Sequence, residues 1–127
     1  MSVARDSRDR RRRLVGLLAL AVSCTVGCTP SDNDEAALAR GREHYLSTCS
    51  ACHQPDGEGF EGVYPNLAGN PIVRLEDPDP VIEIVLHGRG GMPSFASQPS
   101  DHLAEIVTYI RHAWGNGASP VTPAQMR

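Results

Sequence analysis

Cys49-Ser50-Ala51-Cys52-His53 is the stretch that decides how this chain is read. Two thiols three positions apart fall on consecutive turns of a short helical segment, and the adjacent imidazole projects toward whatever the thiols hold. The pattern is that of covalent c-type haem attachment. The chemistry sets the spacing. Each thiol adds across one of two vinyl groups on a haem edge, and the next side chain, His53, then reaches the iron from below. Cys49 and Cys52 are therefore expected to carry one haem c and His53 to be an axial ligand.

Other chemistry uses similar spacings. A thioredoxin-like couple needs a βαβ context, and no strand-helix alternation is visible here. A structural zinc site joining Cys24 and Cys28 to Cys49 and Cys52 has admissible spacing, but the first pair sits at the end of an export segment. A plain disulfide between Cys49 and Cys52 leaves His53 unexplained.

Upstream of the motif, residues 35–48 read as a helix with Leu38, Gly41 and Tyr45 on one face and Arg40 and Arg42 beside it. Gly41 costs a helix interior roughly 1 kcal/mol against alanine, which invites a packing explanation. Downstream, residues 54–70 hold Pro55, Gly57, Gly59, Gly62, Pro65 and Gly69, the composition of a loop. So long a loop needs a scaffold, and a haem edge is a suitable one. Asp77-Pro78-Asp79-Pro80 starts a short apolar helix over 81–87, behind an aspartate cap and stopped by Gly88.

Met92 follows in the flexible turn Gly88-Arg89-Gly90-Gly91-Met92-Pro93. Methionine is usually core filler, but a Gly-rich loop before a proline offers little core to fill. The last helix is expected over 99–114, capped by Ser97 or Ser100. Its apolar stripe is Leu103, Val107, Ile110 and Trp114, flanked by Ile106 and Tyr109, with Glu105, Thr108 and Arg111 outside. His44, His102 and His112 look solvent-facing. Residues 116–127, with Pro120 and Pro123, read as an extended tail.

Gly41, Tyr45, the Cys49-to-His53 motif, Pro65-Asn66-Leu67, Met92-Pro93 and Tyr109, in this order and spacing, resemble the class I c-type cytochromes between about residues 40 and 114. The resemblance implies an all-α cytochrome c fold, with three main helices wrapped around a covalently bound haem and long loops. It implies that Met92 is the second axial ligand, with His87, five residues earlier, as the competitor. It implies that the Pro65 carbonyl orients His53, that Leu67 packs on the haem, and that Gly41 lets the first and last helices cross with Tyr45 and Tyr109 at the contact. The ending around Trp114-Gly115-Asn116 and Pro120-Val121-Thr122-Pro123 is similar to cytochrome subunits of membrane-bound quinoprotein dehydrogenases.

The N-terminus carries Arg5, Arg8 and the run Arg10 to Arg13, then an uninterrupted apolar stretch over 14–22. That is a secretory signal, too short for a spanning helix of about 20 residues. Ser23-Cys24-Thr25-Val26-Gly27-Cys28 looks like a bacterial lipoprotein cleavage box. We favour Cys28 as the lipidated residue, because Cys24 then leaves with the signal; Cys24 is the alternative and strands Cys28 as a free thiol. The expected organisation is a signal peptide over 1–27, an anchor linker over 28–34, a cytochrome domain over 35–115 and the tail. The chain is expected on the periplasmic side of a bacterial membrane, lipid-anchored.

The chain has no lysine, and beyond residue 27 six arginines face thirteen carboxylates, a net charge of −7. Asp56, Glu58 and Glu61 follow directly on the haem motif, so a docking face there is neutral to acidic. The expected function is one-electron transfer between a dehydrogenase or other donor and an oxidase or reductase acceptor. No catalytic residue and no nucleic-acid partner are expected. The alternative is a haem enzyme or gas sensor, which needs an open iron position. Replacing Cys28 with Ser is expected to abolish incorporation of labelled fatty acid; unchanged labelling would move the anchor to Cys24.

Overall fold

A computed structural model describes residues 32–127. The signal segment, Cys24 and Cys28 lie outside the described residues. The fold is all-α, with no strand among the described residues: α1 (Asp32–Thr48), α2 (Ser50–His53), α3 (Asp79–His87) and α4 (Ser100–His112), followed by a 3-10 turn over Ala113–Gly115. Three main helices and one short motif helix match the expected arrangement. None of these helices is long and apolar enough to cross a membrane.

The first helix begins at Asp32, so part of the stretch read as a linker is its first turn. Asp32, Asp34 and Glu35 place carboxylates where unpaired helix N–H groups favour negative charge. Its buried face is Gly41 and Tyr45, packed principally on α4. A Cβ on Gly41 would fall inside the Glu105 carbonyl and 2.9 Å from Tyr109 Cβ, so only glycine permits this crossing. On the outer rim Arg40 Nε donates to Glu105 Oε1 at 2.7 Å, and His44 and His102 stack at 4.2 Å. These two histidines, expected toward solvent, are half-buried because each ring covers the other; His112 is exposed.

The third helix carries Pro80 in its first turn. The cap position is Pro78, so the expected aspartate cap is absent; the Asp77 carboxylate instead accepts the Asp79 N–H at 3.0 Å in the turn that leads into the helix. Val81, Ile82, Val85 and Leu86 are buried. They join Tyr45, Val73, Leu103, Ala104, Ile106, Val107 and Ile110 in one core.

The end of the chain departs from expectation in three ways. Neither Ser97 nor Ser100 caps α4: Ser100 is its first residue and the cap position is Pro99, which has no side-chain acceptor. The helix stops at His112, and Trp114 stands beyond it with φ +53°. Residues 116–127 form no helix but are not a loose tail, because Val121 and Met126 are buried in the core and Thr108 exchanges two hydrogen bonds with Val121.

Arg111 is the largest correction. Expected on the outer face, it is fully buried. Its Nε donates to Ser119 O at 2.8 Å, Nη1 to Val73 O and Leu75 O at 3.0 and 2.9 Å, and Nη2 to Glu76 O at 3.2 Å. Burial pulls its guanidinium below the ordinary arginine value, and the Asp77 carboxylate partly offsets this. The physical reason is a shortage of donors: the irregular segment around 73–76 brings carbonyls into the protein, and a five-donor fork satisfies them. Arg111→Leu is expected to cost about 3 kcal/mol, the order for orphaned buried carbonyls. Denaturant unfolding of the haem-loaded protein measures it, with exposed Arg42→Leu as a control within about 0.5 kcal/mol.

Candidate functional site

The motif helix leaves α1 almost without interruption: Cys49 N–H donates to Tyr45 O at 2.8 Å, and His53 N–H to Cys49 O at 3.0 Å. This puts Cys49 and Cys52 one helical turn apart. Both thiols are free and half-buried. Burial, and then Cys52, push the Cys49 thiol up to about 11. The thioredoxin-like reading also lacks its βαβ context, since no strand is present among the described residues. Among the described residues no three His, Cys, Asp or Glu side chains converge on a common point, and the other thiols of the zinc reading lie outside that range.

His53 is buried, and its Nδ1 lies 2.9 Å from the Pro65 carbonyl. A carbonyl oxygen only accepts, so Nδ1 carries the proton. In the neutral ring Nε2 then keeps a bare lone pair, the state a metal ligand requires. The contact expected between His53 and Pro65 is thus present. Leu67 is half-buried against the core, with its N–H on Gly57 O at 2.7 Å.

The turn after the motif is strained. Gln54 has φ +62° and ψ 157°, a region that side chains other than glycine rarely occupy. Three hydrogen bonds over-determine it. Gln54 N–H donates to Ser50 O at 2.9 Å, while Gln54 O accepts from Gly57 N–H at 3.1 Å and from the Tyr45 hydroxyl. Burial, then the Cys49 thiol, hold the Tyr45 phenol well above its ordinary value, so it remains a donor. The strained residue swings the chain out of the helix and back toward the Pro65 side of His53.

Met92 sits in a tight turn, where Arg89 and Met92 exchange backbone hydrogen bonds of 3.1 and 3.0 Å. Phe95 N–H on Val85 O at 3.0 Å, and the Ser94 hydroxyl on Leu86 O, tie the turn back onto α3. Met92 is half-buried and borders the same core as Cys49, Leu67, Ile72 and Phe95. The competing His87 is exposed and lies 3.3 Å from Glu83, one turn earlier on the surface of α3. The free thiols, the available Nε2 and this apolar border fit a haem c.

One contributor escaped the sequence and another takes a different place. Asn116 is buried; its Nδ2 donates to Leu67 O and Ile110 O at 3.0 and 2.8 Å, and its Oδ1 accepts Gly69 N–H at 2.8 Å. It clamps the loop after Pro65 to the end of α4. Trp114, expected on the apolar stripe of the last helix, packs from beyond it, edge-on against Tyr45 and Tyr109 at centroid distances of 5.3 and 5.5 Å, with its ring where a Cβ on Gly57 would be. Asn116 follows Gly115 with no periodic signal at all.

The family model described as "Cytochrome C oxidase, cbb3-type, subunit III" matches residues 36–110. The cytochrome c subunit of a quinone alcohol dehydrogenase from Gluconobacter oxydans (strain 621H) is 37% identical over 90 residues, covering 61% of this chain and 19% of that protein. The gluconate 2-dehydrogenase cytochrome c subunit of Pantoea cypripedii is 35% identical over 98 residues, covering 67% and 22%. A cytochrome c-552 of Thermus thermophilus is 28% identical over 111 residues, covering 72% and 74%. The chain spans about a fifth of the length of the dehydrogenase subunits that it matches. Replacing strained Gln54 with Gly is expected to stabilise the protein by about 1 kcal/mol, whereas Gln54→Val should destabilise it. Thermal unfolding of the two variants against the parent decides it.

Proposed function

The chain belongs to the c-type cytochrome family described as cytochrome c oxidase, cbb3-type, subunit III, and from that premise we propose that it is an exported, membrane-anchored one-electron carrier serving a dehydrogenase. Members of the family bind covalent haem c, and the relatives that match include electron-transfer subunits of dehydrogenases and mono-haem cytochromes. When bound, the haem supplies a one-electron iron couple.

In this reading the free thiols of Cys49 and Cys52 would hold the haem covalently. His53 through Nε2 and Met92 through its thioether would ligate its iron. Pro65 holds the imidazole through Nδ1, and Leu67 supplies apolar cover. The single observation that carries this reading is the His53 Nδ1 to Pro65 O hydrogen bond, because it selects the tautomer with the lone pair on Nε2 and holds the ring in place. A second ligand from Met92 would leave no position for a substrate or a gas, which favours electron transfer over the haem-enzyme or gas-sensor alternative. His87 is disfavoured by its exposure and its Glu83 partner. Lipidation at Cys28, with Cys24 as the alternative, supplies the anchor on the periplasmic side, and several acyl chains hold a protein stably where one does not.

Two outcomes test the site. Cys49→Ala together with Cys52→Ala should yield a chain that shows no haem after denaturing electrophoresis, where the parent keeps it. Haem freely extracted from the parent by acidic organic solvent would refute attachment. Met92→Ala should lower the reduction potential and admit carbon monoxide to the reduced protein, which the parent excludes. A mutant still closed to carbon monoxide would transfer the ligand role to His87.

A further inference from the structure

Residues 60–64 form a tight hairpin on the loop after the motif. Phe60 and Tyr64 pair as an isolated antiparallel bridge, with hydrogen bonds of 2.9 and 2.8 Å, and their rings meet edge-on at 6.5 Å. Three of its five residues carry large, apolar, exposed side chains: Phe60 at 55%, Val63 at 70% and Tyr64 at 40%. Beside them an open cavity of about 530 Å³ is lined by Glu58, Glu61, Val63, Tyr64 and Pro65 among others. Asp56, Glu58 and Glu61 are exposed, and no described cation pairs with them. From Gln54 to Val73 the chain has no arginine, lysine or histidine.

The hairpin stands rigidly on the candidate iron ligand. Gly59 N–H donates to His53 O at 3.0 Å, and His53 Nδ1–H donates to Pro65 O at 2.9 Å, so both feet of the hairpin are bonded to His53. Pro65 approaches from the Nδ1 side of the imidazole, away from Nε2.

We propose that this acidic-rimmed apolar hairpin is the docking site for a redox protein whose contact face is an apolar centre ringed by lysine or arginine. The inference rests on the electron-carrier reading and names its partner chemistry. Exposed apolar groups clustered within five residues, rimmed by charge, are the composition of an interaction surface. The cavity accepts a basic side chain of the partner, with its aliphatic stem on Val63, Tyr64 and Pro65 and its charged head between Glu58 and Glu61. The carboxylates steer the encounter, and Phe60 and Val63 hold it long enough for transfer. They also oppose insertion into an anionic lipid surface and pairing with a second copy of this chain.

The test uses the haem-loaded exported protein, labelled with ¹⁵N, and a lysine-ringed mitochondrial-type cytochrome c as the probe. Amide shifts on titration should centre on residues 58–66. Phe60→Ser with Val63→Ser should weaken binding about tenfold. Glu58→Gln with Glu61→Gln should weaken it and flatten its dependence on salt. Shifts that spare 58–66, or both double variants binding as the parent does, would overturn the proposal. So would an apolar double variant whose only loss is binding to phosphatidylcholine–phosphatidylglycerol vesicles, or self-association in sedimentation. Oxidation of the reduced protein by benzoquinone is measured separately and should be the same in parent and variants. Failure of the parent there refutes the electron-carrier reading, while the titration still decides the docking site.

Discussion

The hydrogen bond from His53 Nδ1 to the Pro65 carbonyl is the constraint on which the rest of the structure depends. It fixes the tautomer of one imidazole, and it closes a long loop whose one regular feature is the bridge between Phe60 and Tyr64. Between α2 and α3 local turn bonds pair part of the backbone, and buried side chains take polar groups that those turns leave over. His53 takes the carbonyl at 65, Asn116 the carbonyl at 67 and the N–H at 69, and Arg111 the carbonyls at 73, 75 and 76. Three polar side chains, two of them at the end of α4 or just beyond, thus hold the loop along its length. Each is buried and hydrogen-bonded, which is how buried polar groups stabilise rather than cost.

The helices supply the frame for this arrangement. Gly41 brings α1 and α4 close enough for Tyr45, Tyr109 and Trp114 to form one aromatic cluster. Tyr45 then reaches from that cluster to the Gln54 carbonyl, where the chain makes its strained exit from the motif helix. The helix crossing is therefore connected to the geometry of His53 by a short chain of contacts. The third helix carries the Met92 turn, held by Val85 and Leu86. Histidine and methionine consequently come from separately braced elements around one small core. A covalent haem adds apolar bulk to a core that so short a chain struggles to build alone.

Legibility from sequence followed the range of the signal. The C-x-x-C-H motif, the glycine in α1, the loop composition and the proline-started α3 are local patterns, and each was readable. Arg111 was misread because its charge was allowed to outrank its period: Leu103, Val107 and Arg111 lie four residues apart on a single face, and that face is buried. Asn116 answers to backbone groups 47 and 49 residues away, so nothing nearby announces it. Val121 and Met126 are buried from an irregular segment, where no periodicity distinguishes a docked residue from a solvated one. The contact of His53 with Pro65 was legible, and the buried side chains of Asn116 and Arg111 that hold the rest of the loop were not.

The most direct measurement of the central claim is a potentiometric titration of the purified exported protein, followed by its visible spectrum. A one-electron carrier predicts a single reversible wave with a slope of about 59 mV per tenfold change in the oxidised-to-reduced ratio. A slope of about 30 mV, the mark of a two-electron thiol couple, or the absence of any reversible wave, would contradict it.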